Sequence, residues 1–507
     1  MIIGIDLGTT FSLGSKLGLD GRPILVPDAS DQDYFATPSV VHLADRSAIV
    51  GNMAEDLIAQ NPELPVQRFF KRNFGTPKPV SYDRNQQPWY PETLGALILK
   101  KIKNDFEHFD PTEITGAVIT VPAHFTDNQR KCVLNAGALA DLPILGLVEE
   151  PVAAALHYTV VNKVLDKIVL VYDLGGGTFD STLLSMDGNG TYVLAKEGIT
   201  DLGGKEFDEK IGEYILHQFH KIKGRELELN AINLLQLRKI SEEVKIELSM
   251  PQASIIRKTI ILGDSVIEII FNRKTFESSI QHAIDQTIES TLRCIKGASL
   301  KPTDVNTILL VGGSSMIPYV RERLKEIFTA PNQQLMYHEP MKAVAFGASI
   351  YGAQISGSAE LYNIPPEFMG ITGYNIGIKT IDPESRTIQY DTLIRKNLPL
   401  PVKATRTYYT SSANQTHIEL EVYQYDNEKS AIHFIGKVNI GPIHNNRVNY
   451  PIEVSITNTE DGVVLITAFD PNTGQEIEQS FGVDDELDNY LTKQKRLIDN
   501  TIINNIV

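Results

Sequence analysis

Met1–Thr10 reads MIIGIDLGTT and Lys167–Thr178 reads KIVLVYDLGGGT. Each is an apolar run rich in β-branched residues, then an Asp, then a glycine-containing turn closed by Thr. Such a run fits a buried strand, because Ile and Val pack well on a pleated surface. The Asp then stands at the strand end, where its carboxylate can face a cleft. Glycine has no Cβ, so backbone N–H groups can approach a phosphate closely and positive φ is inexpensive. A single strand, Asp and Gly turn is usually an ordinary β-turn. Two copies in matched context predict a two-lobed protein that holds an anionic ligand between its halves. The pattern GxxxxGK[ST] is absent and no GxGxxG lies between a strand and a helix, so neither a P-loop nor a dinucleotide fold is indicated.

At 507 residues the chain has room for two or more domains with sizeable cores. A hydrophobic content of 42% and a charged content of 22% are those of a globular chain. The net charge of −16 argues against non-specific nucleic-acid binding and against an anionic membrane surface, and otherwise serves solubility. The two cysteines, Cys132 and Cys294, offer neither a disulfide framework nor a zinc spacing and fit a reducing cytosol. No apolar run reaches the roughly 18 residues of a transmembrane helix. The first residues read as core strand rather than as a signal peptide, so a cytoplasmic protein is expected.

Residues 1–355 alternate apolar strands, such as Ala117–Val121, Ile168–Tyr172 and Thr307–Val311, with amphipathic helices at Glu92–Phe106 and Phe207–Lys223. This is an α/β pattern. The composition then shifts to Ser, Gly, Asn and paired prolines, which places a linker at residues 356–370. Over residues 371–482 the period becomes two. Ile418, Leu420 and Val422 alternate with Glu419, Glu421 and Tyr423, and Ile452, Val454 and Ile456 repeat the pattern. Turns at Thr459–Gly462 and Pro471–Gly474 separate the strands, so an antiparallel β-sandwich is expected. Residues 483–507 space Leu487, Leu491, Leu497, Ile498 and Ile502 as one short terminal helix.

Nine motifs follow one another: IIGIDLGTT, FFKRNFG, AVITVPAHFTDNQR, EEPVAAALHY, VYDLGGGTFD, LGGKEFD, EEVKIELS, ILLVGGSSMIP and AVAFGASIYGA. In this set and order the chain resembles the DnaK-type chaperones of the seventy-kilodalton heat-shock family over nearly its whole length, nearest their short HscC-type branch. The resemblance implies an actin-like, two-lobed ATPase with ribonuclease H-like subdomains, followed by an antiparallel β-sandwich that grips extended peptides.

Phosphoryl transfer to water needs positioned phosphates, a metal ion and an oriented nucleophile. By the resemblance, Asp6 and Asp173 hold a hydrated Mg²⁺ from both lobes, with Asp180 as a third acid. Gly8, Thr9, Thr10, Gly175, Gly176, Gly177 and Thr178 wrap the phosphates of ATP or ADP. Lys71 matches the lysine that orients the attacking water, a place where the bare sequence reads as a surface residue. Glu150 matches the acid near metal and water, with Glu149 an alternative one position away. Gly203, Gly204, Gly312, Gly313 and Ser314 resemble turns that approach ribose and phosphate. Glu242, Lys245 and Ser249 share one helix face that the family sets against the nucleoside. K⁺ is a further expected ion. Pro122 and Arg130 match residues tied to communication between domains.

Ile378, Ile381, Tyr408, Ile418 and Leu420 fall where the family lines its peptide cleft, although periodicity alone reads them as sandwich core. Expected partners are unfolded or extended peptide segments, a J-domain co-chaperone and a nucleotide exchange factor. The chain also departs from the family. Met316 stands where many members stack an Arg on adenine, and Met341-Lys342 replaces an acidic pair, which predicts altered nucleotide affinity. Glu367-Phe368-Met369-Gly370 replaces the leucine-rich linker with its Asp, and Gly146 replaces the J-domain docking Arg. No long helical lid follows the sandwich, so bound peptide should leave quickly. Two other readings stay open at this point: a metabolite kinase on the same fold, and a nucleotide-holding scaffold with little turnover.

Overall fold

The two matched segments become equivalent strands. Ile2–Leu7 runs parallel to Gly116–Val121 on one side and antiparallel to Phe11–Leu17 on the other. Lys167–Leu174 likewise runs parallel to Thr307–Val311 and antiparallel to Phe179–Met186. Each is thus a central strand of its own sheet, which explains the unbroken apolar runs. The computed structural model describes the chain apart from residues 45–46, 62, 84, 163–166, 187–189, 360–366, 382–386, 427–430, 444–446, 478, 482–483 and 505–507.

The first sheet runs Ile144–Glu149, Gly116–Val121, Ile2–Leu7, Phe11–Leu17, Pro23–Leu25. The second runs Gln334–Tyr337, Thr307–Val311, Lys167–Leu174, Phe179–Met186, Gly190–Ile199, Glu367–Met369. Helices Glu150–Asn162 and Ala343–Ile355 lie between the sheets, and their small side chains share one core with both. Ala153 and Ala348 pack there with Val118 of the first sheet and Val169 of the second. The expected helices are present as Pro91–Phe109 and Gly204–Lys223. Part of the expected linker, residues 360–366, lies outside the described residues. Its end, Glu367–Met369, forms an edge strand parallel to Gly190–Ile199.

The period-two region folds as expected. Ile388–Ile394, Asn375–Ile381, Ile418–Asp426, Ala431–Ile440 and Gln479–Phe481 form one antiparallel sheet; Val402–Tyr409, Pro451–Asn458, Val464–Asp470 and Gln475–Ile477 form the other. Alternate residues of both meet in a shared core that includes Ile376, Val422, Val454 and Ile466.

This sandwich is docked on the first lobe through polar contacts. Asp461 Oδ1 accepts from the Leu147 N–H at 2.8 Å, and Asp127 Oδ1 accepts from the Val464 N–H at 2.7 Å. Gln424 Oε1 accepts from the Asp127 N–H at 2.8 Å. Arg130 is buried and donates to Asp461 O at 3.1 Å and to Glu149 at 2.7 Å. Pro122 sits in the neighbouring turn, where its carbonyl accepts from the Phe125 N–H.

The terminal helix is Asp484–Asp499, shorter than the expected run to Val507. It packs on the first lobe rather than over the sandwich: Ile498 is fully buried in that lobe's core, and Tyr490 meets Tyr90 edge-on at 4.8 Å. Ile502, expected on the helix, instead belongs to a strand, Ile502–Ile503, that adds in parallel to Ser47–Val50. The helix has closed by then, with Thr501 Oγ1 donating to Leu497 O at 2.6 Å. Asn504 follows with φ 39°, a left-handed conformation that Asn tolerates.

Candidate active site

The ends of the two matched strands face each other across the cleft. A cavity of about 110 Å³ lies between them, lined by Asp6, Lys71, Glu150, Asp173 and both glycine turns. Gly8, Thr9, Thr10, Gly175, Gly176, Gly177 and Thr178 all border it, as do Gly312 and Gly313. Backbone N–H groups and threonine hydroxyls therefore surround a space of triphosphate character. Gly312 has φ 78°, and a Cβ there would come within 2.4 Å of Leu174 O and 2.6 Å of Asp173 Oδ1. Gly203 packs as closely on the second turn, since its Cβ would lie 2.6 Å from the Gly177 N.

Lys71 sits in the short 3-10 turn Phe70–Asn73 and is 4% exposed. Its Nζ donates to Glu150 Oε1 at 2.6 Å and lies 5.5 Å from the Phe125 ring centre. The two adjacent glutamates part company. Glu150 opens its helix and holds Lys71 in the cavity, whereas Glu149 ends its strand and takes Arg130 and Lys196 at the sandwich interface.

Asp6 and Asp173 carry too much negative charge for their surroundings. Burial, then Glu150, pushes the Asp6 carboxyl up to about 7; Lys71 and the Thr120 hydroxyl, 3.1 Å away, oppose this. Burial, then Glu150, Asp180 and Asp6, also raises Asp173. A divalent cation would relieve both. Among the described residues no three His, Cys, Asp or Glu side chains converge as a direct metal site. Two buried carboxylates facing one cavity are a donor set that could hold a hydrated divalent ion through its waters. Asp180 opposes Asp173 on the ladder, but its carboxylate is bound to His124 Nδ1 at 2.7 Å and does not line the phosphate cavity.

A second cavity of about 780 Å³ adjoins the first. Gly204, Glu242, Lys245, Gly313, Ser314 and Met316 line it, as expected for the nucleoside side. Lys245 is fixed by Asp208 at 2.8 Å. Ser249 is not brought there: its hydroxyl donates to Lys245 O at 2.8 Å and closes its own helix end. Ile246, Met341, Leu234 and Leu237 make this cavity more apolar than the motifs implied. Arg72, next to Lys71 in FFKRNFG, was missed as well. It ties the lobes together by donating to Glu206 Oε1 at 2.8 Å and to Gly177 O at 2.9 Å.

At the sandwich, Ile378 is 1% exposed and Ile418 and Leu420 are each 8% exposed, all within the core. Tyr408 packs at the edge of that core with its hydroxyl 3.3 Å from Asp391. Ile381 ends its strand, and its side chain lies outside the described residues.

Two sheets joined by crossing helices, twin glycine turns over paired carboxylates, and a docked β-sandwich define an actin-like nucleotide clamp with an appended binding domain. The profile described as Hsp70 protein matches residues 2–498. The chaperone protein DnaK of Thermosipho africanus (strain TCF52B) is 33% identical over 483 residues, covering 94% of this chain and 79% of that protein. The chaperone protein DnaK of Thermosipho melanesiensis (strain DSM 12029 / CIP 104789 / BI429) matches with the same identity and shares. The chain belongs to the Hsp70 family. It is an ATP-dependent molecular chaperone that uses ATP or ADP with Mg²⁺. No helix among the described residues is long and apolar enough to cross a membrane.

Proposed function

We propose that this chain hydrolyses ATP to ADP and phosphate and uses the cycle to bind and release extended apolar peptide segments. Thr9, Thr10 and Thr178, with the turn amides, hold the phosphates; Asp6 and Asp173 take the hydrated Mg²⁺, with K⁺ as a further counter-ion. Lys71, held by Glu150, orients the attacking water. Asp180 acts one step back, by fixing His124. The single observation that carries this reading is the Lys71–Glu150 pair, buried beneath two glycine turns at a cavity shared with Asp6 and Asp173.

Ile378, Ile381, Tyr408, Ile418 and Leu420 are the proposed peptide contacts. Because the described sandwich is closed over Ile378, Ile418 and Leu420, a peptide must part this seam to reach them. A J-domain co-chaperone and a nucleotide exchange factor are the proposed partners, and the cytoplasm the proposed compartment. Residues 1–355 form the nucleotide-binding part and 371–482 the peptide-binding part in this reading, with the HscC-type branch as the proposed place in the family.

Steady-state phosphate release, measured without any acceptor and with or without a short apolar peptide, tests the proposal. Asp173→Asn should abolish turnover with the circular dichroism spectrum unchanged. Wild-type turnover in that variant would refute the assignment, and a requirement for a sugar or other acceptor would indicate a kinase instead.

A further inference from the structure

Two cavities accommodate ATP, and a third is left over. It has a volume of about 750 Å³, shares Thr9, Lys71 and Thr178 with the phosphate cavity, and shares no lining residue with the nucleoside cavity. The three spaces therefore lie in series: nucleoside, phosphates, then this chamber. Its walls carry Lys71, Arg72 and Arg293 against the one acid Asp201, a net cationic lining in a chain of net charge −16. Two buried nitrogens on these walls have no hydrogen-bond partner among the described residues, Arg72 Nε and His124 Nε2. Arg72 Nε–H is a donor awaiting an acceptor. Asp180 holds the Nδ1 side of His124, which leaves Nε2 to accept a proton-bearing group such as P–OH.

We infer that this chamber is the exit compartment for inorganic phosphate and that the peptide-binding sandwich forms its outer wall. The inference rests on the ATPase reading above. After hydrolysis, ADP still fills the nucleoside side, so the free oxyanion can move only past Thr9, Lys71 and Thr178. The wall it then meets is Tyr374 together with Ala431–Phe434 of the sandwich. That wall is strapped to the first lobe by two hydrogen bonds: Asn128 Nδ2 to Phe434 O at 2.9 Å, and the Tyr374 hydroxyl to His124 O at 2.7 Å. A docked sandwich retains phosphate; an undocking sandwich opens the way. Product release and sandwich movement become one event.

The test loads the full chain with ADP, Mg²⁺ and inorganic phosphate and mixes it with a fluorescent phosphate sensor. This reads phosphate dissociation directly, whatever the rate of chemistry. Asn128→Ala cuts one strap and should speed phosphate dissociation roughly threefold or more, the worth of one net hydrogen bond. Arg293→Glu reverses a charge at the chamber wall and should weaken phosphate affinity by about threefold or more. Phosphate that does not bind the ADP-loaded chain overturns the inference. So do equal rates and affinities in all three proteins, or phosphate that leaves only as fast as ADP. A separate acid quench of the chain with ATP shows whether ADP forms at all, so failure of the exit and failure of the ATPase reading are told apart.

Discussion

Substituting Asn504 should release the C-terminal tail from the first lobe. The Asn504 Oδ1 accepts from the Val50 N–H at 2.7 Å, and its Nδ2 donates to Val50 O at 3.0 Å. Both bonds are buried, and Val50 itself has no exposed surface. Asn504→Gly isolates the side chain, because glycine accepts φ 39° as readily as asparagine does. Each bond contributes a net of about 1 kcal/mol, so their loss amounts to about 2 kcal/mol, or roughly 30-fold in the tail's docking equilibrium. Residue-resolved amide exchange reads this directly. The Val50 N–H should exchange about 30-fold faster, and trypsin should cut sooner at Lys493, Lys495 and Arg496. Lys495→Ala serves as a control: its pairs with Asp141 and Asp499 are surface ion pairs and should shift exchange by less than about threefold. Val50 exchange unchanged in Asn504→Gly would refute the reasoning, since the tail would then be held by something other than this clamp.

Lys71→Ala removes the buried cation beside Glu150 and should lower turnover by about 10²–10³-fold with nucleotide binding largely kept; a loss smaller than tenfold in a single-turnover assay would count against its role. The nucleotide-free protein should lose stability as pH rises from about 4 towards 7. Asp6 titrates near 7 when folded against 3.8 in its ordinary state, so the folded chain binds the extra proton across that window and gives it up at the top. Asp6→Asn should flatten this slope in chemical denaturation curves, whereas a slope identical to wild type would show that other groups set it. Met316→Ala should weaken ATP binding by about tenfold in calorimetry if the methionine packs on the base; tighter binding would exclude that contact.

What the sequence made legible was local. Strand and turn at Met1–Thr10 and Lys167–Thr178 follow from β-branched runs and glycine, and the sandwich strands follow from a period of two, because neighbouring residues carry those signals. The choice between Glu149 and Glu150 could not be made from spacing, since adjacent residues at a strand-to-helix junction can turn either way. The Asp180–His124 pair was illegible because its members stand in different lobes. Ser249 kept helical phase with Glu242 and Lys245, yet it sits in the last turn, where a hydroxyl is drawn to the free carbonyl of Lys245. Ile418 and Leu420 were correctly placed on one face, but alternation does not distinguish a core from a cleft. The tail strand was hidden because Ile502 and Ile503 acquire their partner only from Ser47–Val50, at the other end of the chain.

The docking of sandwich to lobe is polar where a permanent domain contact would be apolar. Asp127, Gln424, Asp461 and Arg130 make it through hydrogen bonds, several to backbone groups that water can satisfy equally well once the surfaces part. Such bonds contribute about 1 kcal/mol net each, which suits a contact that must form and break within a cycle. The same contact reaches the reaction site by a short covalent route. Glu149 binds Arg130 and Lys196 under the sandwich, and Glu150, its immediate neighbour, binds Lys71 at the cavity shared with Asp6 and Asp173. One peptide unit thus separates a residue paired at the sandwich interface from a residue paired with the buried Lys71. Arg130 joins Asp461 of the sandwich to Glu149, so the contact that docks the sandwich ends one residue away from the Lys71–Glu150 pair.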